Sequence, residues 1–97
     1  MIEIINQIFS LETKLKKQPD INAYRNFERI YHEIALLGYQ IENPLGKTYR
    51  NEMTDVDANI TGQLNDSSKI IKVLKPTIYY MDNGYTKLVQ KGIVIVE

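Results

Sequence analysis

At 97 residues, with lysine plus arginine matched by aspartate plus glutamate at twelve each, the chain has the length of one domain and no net field to draw it to nucleic acid or anionic lipid. The absence of cysteine excludes disulfides and thiolate zinc sites and is compatible with a reducing compartment. No run approaches the roughly 20 apolar residues of a membrane span, and Met1-Ile2-Glu3 lacks the basic start of a secretory signal, so a cytoplasmic location is expected.

In chain order, Ile4, Ile8, Leu11 and Leu15 recur at spacings of four, three and four. Ile5 and Phe9 widen the stripe, which has the period of an amphipathic helix or coiled-coil seam and predicts a helix from near Ile2 to near Lys16. Glu12 and Lys16 form an i,i+4 pair, and Lys14, Lys16 and Lys17 place positive charge at the negative end of the helix dipole. Pro19 bars continuation past Gln18.

Asp20 or Asn22 can cap a second helix, in which Tyr24, Phe27, Tyr31, Ile34 and Leu37 or Gly38 repeat at helical spacing. Gly38 is its expected left-handed stop. The two helices form an αα-hairpin with more apolar face than one hairpin can bury against itself. A chain of this size buries only about 60–65% of its unfolded surface. The stripes therefore predict a four-helix bundle made by two copies, with Ile4, Ile8, Leu11, Leu15, Tyr24, Phe27, Tyr31 and Ile34 at the dimer contact.

Beyond Gly38 the pattern becomes extended. Asp55 to Thr61 alternates polar and apolar residues as a strand with one wet face, and Gly62 to Ser68 reads as a turn. Lys69 to Lys75 is a further strand, and Pro76 marks an edge or a bend. Thr77 to Met81 and Tyr85 to Val89 flank Asp82-Asn83-Gly84, a strong hairpin signal. Gly92 suggests a bulge, and the consecutive apolar residues Ile93 to Val96 suggest a strand covered on both faces. The fold class expected is α+β: a helical hairpin over residues 1–38, followed by a small antiparallel β-domain over residues 39–97.

Little in the chain has the makings of catalysis. His32 has only Glu28 at i+4 spacing, too few donors for zinc. Asp55 and Asp57, with Glu52, form an acidic cluster without the spaced ligands of a calcium loop. Ser10 and the pair Ser67-Ser68 lie in no nucleophile elbow, and Leu45-Gly46-Lys47-Thr48 lacks the upstream glycine of a phosphate-binding loop. No catalytic residue, metal or cofactor is expected. Tyr79, Tyr80 and Tyr85, near Lys75, Lys87 and Lys91, are the one pattern that would suit stacking on single-stranded nucleic acid, against which stands the zero net charge.

From about Ile2 to Val96 the order of parts resembles the C-terminal half of the GrpE family, the nucleotide exchange factors of DnaK-type chaperones, without its long N-terminal helix. Leu36-Leu37-Gly38-Tyr39-Gln40-Ile41 is similar to that family's helix end leading into the first strand. Gly46-Lys47-Thr48-Tyr49 resembles its Gly-x-x-Phe entry to Phe-Asp-Pro-x-x-His-Glu-Ala. Tyr49 matches the phenylalanine, Asp55 the glutamate and Val56 the alanine, whereas Arg50, Asn51 and Thr54 replace the aspartate, proline and histidine. Ile70 to Lys75 looks like the strand before its central Gly-Tyr, here Thr77-Ile78. Asn83-Gly84 resembles its Asn-Gly turn, and Leu88 to Val96 its Val-Leu-Arg-Pro-Ala-Met-Val-x-Val ending, with Lys91 in place of proline. The resemblance implies a homodimer through the helices and a β-domain that binds the ATPase domain of a DnaK-type chaperone and promotes ADP release. It points to Gly46, Tyr49, Met53, Leu74 and Val96 as contact residues. A non-enzymatic interaction module of the same fold is the alternative, with nucleic-acid binding a weaker one.

Overall fold

The computed structural model describes residues 1–18 and 20–97. Two helices, α1 (Ile2–Leu15) and α2 (Tyr24–Leu36), precede six strands: β1 (Tyr39–Glu42), β2 (Val56–Ile60), β3 (Ile70–Lys75), β4 (Thr77–Asp82), β5 (Tyr85–Gln90) and β6 (Gly92–Val96). This is the α+β order expected. No helix among the described residues is long and apolar enough to cross a membrane.

Helix α1 ends at Leu15, before Gln18, and the stop expected at Pro19 lies outside the described residues. Helix α2 begins after Ala23, whose side chain cannot cap. Asn22 stands one position earlier and its Oδ1 accepts from the Tyr24 amide at 3.4 Å. The expected cap is thus displaced, and the bond is long for a strong one. Gly38 closes α2 as expected: its φ is +98°, and its amide donates to the Ala35 carbonyl at 2.9 Å.

The strands form two three-stranded sheets, ordered β1-β4-β5 and β2-β6-β3. β3 and β4 run on from one another through Pro76, as do β5 and β6 through Lys91, so β3-β4 and β5-β6 make one long antiparallel hairpin bent at its middle. Its tip is Asn83-Gly84, with φ of 48° and 85°, a two-residue turn whose twist matches that of the strands. Pro76 is buried at the bend, where its missing N–H costs no ladder bond. Gly92 lies there too, not at a bulge: a Cβ on it would stand 2.6 Å from Thr77 Oγ1. The irregularities in register fall instead at Ile71 and Leu74 in β3 and between Ile78 and Tyr79 in β4. The β-domain is antiparallel except that β2 runs parallel to β6. The final strand is covered unequally: Val94 and Val96 have no exposure, while Ile93 and Ile95 on its other face are half-buried.

Helix α1 joins both sheets. Ile5 packs with Ile34 and Ile78 on the first, and Phe9, one turn on, packs with Val56, Ile70, Val73, Val94 and Val96 of the second. Between them Asn6 and Gln90 exchange two amide hydrogen bonds, each of 2.8 Å, and Gln90 also donates to the Pro76 carbonyl at 2.8 Å. A buried amide is tolerated when both its ends are paired, so this couple fixes α1 over the bend.

The molecule is a slab of 42 × 39 × 18 Å with an accessible surface of 7044 Å². A compact monomer of this mass exposes about 5,700 Å². The excess is apolar in part, because Ile4, Leu11, Tyr24, Ile71 and Leu74 are all at least 46% exposed.

Candidate partner-binding site

The segment between β1 and β2 is a built loop. Asn43 Oδ1 accepts from the Leu45 amide at 3.1 Å, the turn chemistry characteristic of this residue, and Gly46 follows with φ +84°. The chain then lies along the start of β3: the Gly46 amide donates to the Ile70 carbonyl, Ile70 donates to Lys47, and Tyr49 donates to Ser68, each at 2.9 Å. Tyr49 and Met53 turn inward and pack against the core of the second sheet.

Asp55 completes the loop at the bend. Its carbonyl accepts from Thr77 Oγ1 at 3.0 Å and from the Gly92 amide at 2.9 Å. Its Oδ2 accepts from the Tyr79 hydroxyl at 3.2 Å. Tyr79 has its pKa raised, by burial first and then by the negative charge and hydrogen bond of Asp55. Asp57 has a different partner: its Oδ1 lies 3.9 Å from Lys91 Nζ in an exposed pair of small energetic value. No group of three or more potential metal-ligating side chains is found among the described residues.

Of the five contact residues that the resemblance implies, Gly46 and Leu74 are exposed, Tyr49 and Met53 are half-buried, and Val96 has no exposure. Val96 presents nothing to a partner and is a core residue, a correction that follows from its inward position beside Val94. Leu74 instead belongs to a surface that was only partly legible. Ile93 and Ile95 point away from Val94, because side chains alternate across a strand. Ile71 and Leu74 are the unpaired residues where the β3 register shifts, 50% and 46% exposed. Around them stand Asp57, Asn59, Lys72 and Lys75, in register with Ile93 and Ile95. An apolar centre with a charged rim is the anatomy of a protein-binding patch. The signal was present in the unbroken apolar run 93–96, which requires that both faces of β6 be apolar.

The proposed dimer residues divide. Phe27 and Ile34 are buried within the chain, Ile8, Leu15 and Tyr31 are half-buried, and Ile4, Leu11 and Tyr24 are exposed. At 100° per residue, Ile4, Ile8, Leu11 and Leu15 lie on one narrow stripe of α1, about 110° round the helix from Ile5 and Phe9. Tyr31 donates to Glu12 Oε1 at 2.9 Å, and burial, then this bond and the carboxylate charge, push its pKa upward.

The three tyrosines of the hairpin do not make one platform. Tyr79 and Tyr80 are adjacent on a strand and face opposite sides, and the Tyr80 ring lies 4.8 Å from that of Tyr39. His32 is exposed on a charged face of α2 with Arg25, Glu28, Arg29 and Glu33. Comparisons of the chain with protein-family models, curated proteins and solved structures gave no significant match.

Proposed function

We propose that this chain is a GrpE-like co-chaperone, a homodimer that binds the ATPase domain of a DnaK-type chaperone and promotes release of ADP. The observation that carries the reading is the order of parts: helix, helix, a glycine stop at Gly38, a short strand, an ordered loop at 43–49 and a two-sheet domain ending in a bent hairpin with an Asn-Gly tip. The apolar patch of Ile71, Leu74, Ile93 and Ile95 supplies a contact surface, and the exposed Ile4 and Leu11 of the α1 stripe supply a place for the second copy. The mechanism is linkage: a factor that prefers the nucleotide-poor chaperone lowers ADP affinity by the same factor by which ADP lowers its own binding.

Binding of the parent and of the double variant Ile71→Asp/Leu74→Asp to a DnaK-type ATPase domain, followed by interferometry, tests the reading. Loss of at least tenfold in affinity, with an unchanged melting temperature, is expected. Unchanged affinity in the variant would remove the patch from the account. Absence of any complex with the parent would leave the alternative, a non-enzymatic interaction module.

A further inference from the structure

A second site lies on the other sheet, independent of the chaperone contact. A cleft of about 750 Å³ reaches from the helices past β1 onto the first sheet. Phe9, Glu12 and Lys16 of α1 and Tyr31 and Ala35 of α2 wall it on the helical side. Beyond β1 its floor is made by Gln40, Tyr79, Met81 and Thr86. Gln40 is paired with Tyr79 and Met81 with Thr86. Cross-strand pairs share a face, as do residues two apart on a strand, so these four side chains form one continuous surface.

The size and the walls suit one small molecule. Ligand sites enclose about 300–1,000 Å³ and are lined mainly by apolar and aromatic groups. Here the half-buried rings of Tyr31, Tyr39 and Tyr79, the exposed Ala35 and Met81, itself 52% exposed, are left in contact with water. A ring-bearing molecule laid on them removes apolar surface from water and adds ring–ring and sulfur–ring contacts.

The charges disfavour an ionised ligand. Among the described residues that line the cleft, Glu12 is the one anion and Lys16 the one cation, and the two stand 3.8 Å apart. Glu12 also accepts from the Tyr31 hydroxyl at 2.9 Å. A phosphate or carboxylate would have to take Lys16 from its partner, and an amine would have to take Glu12 from two. The uncharged polar groups are engaged as well. Gln40 donates to Glu42 at 3.0 Å, Asn43 accepts from the Leu45 amide, the Tyr79 hydroxyl donates to Asp55, and the Thr86 hydroxyl reaches the Met81 sulfur at 3.7 Å. A sugar or other polyol, held by many hydrogen bonds, finds these partners taken.

We propose that this cleft is a binding site for one neutral, ring-bearing apolar small molecule. Its rings lie against Tyr31, Tyr39 and Tyr79, and it extends over the Met81 thioether.

Two fluorescent probes that share one ring system test this: N-phenylnaphthylamine, which is neutral, and anilinonaphthalene sulfonate, which adds a negative charge. Titrated into the intact protein, the neutral probe should bind saturably at one per chain and at least tenfold more tightly than the sulfonate. Ala35→Arg sets a charge in the helical wall and Met81→Glu sets one in the floor, both from exposed positions. Each should weaken the neutral probe at least tenfold with an unchanged melt. Glu12→Gln leaves Lys16 without its anion, so the sulfonate should then gain several-fold. The proposal is overturned if the neutral probe does not saturate at one per chain, or if the sulfonate binds the parent as tightly. It is equally overturned if both charged variants bind the neutral probe as the parent does, which would move the probe to the patch of Ile71 and Leu74.

Discussion

Replacing Gly92 with alanine adds one methyl group at the tightest point of the bend. The new Cβ meets Thr77 Oγ1 at 2.6 Å, the Thr77 amide nitrogen at 3.3 Å and the Lys75 carbonyl at 3.4 Å. Thr77 has little room to yield: it is 1% exposed, and its hydroxyl is held by the Asp55 carbonyl at 3.0 Å. Overpacking of a filled site costs about 1–3 kcal/mol, and loss of the threonine bond adds about 1 kcal/mol. The sum, about 2–4 kcal/mol, is a large part of the roughly 5–15 kcal/mol that holds a domain folded. At about 4–8 °C per kcal/mol, Gly92→Ala should lower the melting temperature by roughly 10–30 °C in far-UV circular dichroism. Thr77→Ala removes the atom that is struck, so in the double variant the two costs should overlap by at least about 1 kcal/mol. If Gly92→Ala melts within about 2 °C of the parent, the bend does not depend on this close approach and the argument for Gly92 fails.

Three further outcomes are expected. Gln90→Leu leaves the Asn6 amide buried without its partner and should cost about 1–3 kcal/mol in urea unfolding, whereas Asn6→Leu/Gln90→Leu should recover part of that loss; equal stability of Gln90→Leu and the parent would contradict the buried pair. Because the Tyr31 pKa is raised above its ordinary value of 10.0 in the folded state, its contribution is present below that pH and lost as pH rises through the folded value; the alkaline fall in stability should be shallower in Tyr31→Phe, and an identical fall in both would count against the Glu12 contact. Ile4→Glu/Leu11→Glu should yield a folded monomer by light scattering with little change in its own stability, and a parent already monomeric at micromolar concentration would end the dimer proposal.

Local features of the fold were legible because their causes are local. The Asn83-Gly84 step dictates a two-residue turn, Pro76 interrupts a ladder, Gly38 ends a helix, and the spacing of apolar residues marks α1 and α2. The face of α1 that turns inward was not legible. The 4-8-11-15 stripe and the Ile5-Phe9 pair are both apolar, and the choice between them is made by partners that lie between Ile34 and Val96, far along the chain. The Asn6–Gln90 pair, the parallel pairing of β2 with β6, and the cleft between the helices and the first sheet are products of tertiary arrangement that no short-range pattern encodes. For the site, the resemblance led to Leu74 but also to Val96. The alternation that makes Ile93 and Ile95 surface residues is what withdraws Val96, and only the strand's register states which set is inside.

Exchange activity is tested by the release rate of fluorescent ADP from the DnaK-type chaperones of the source organism in the presence of this protein. Acceleration that rises with protein concentration and is lost in Ile71→Asp/Leu74→Asp is expected. Release at the intrinsic rate at every concentration, with the protein folded throughout, would contradict it.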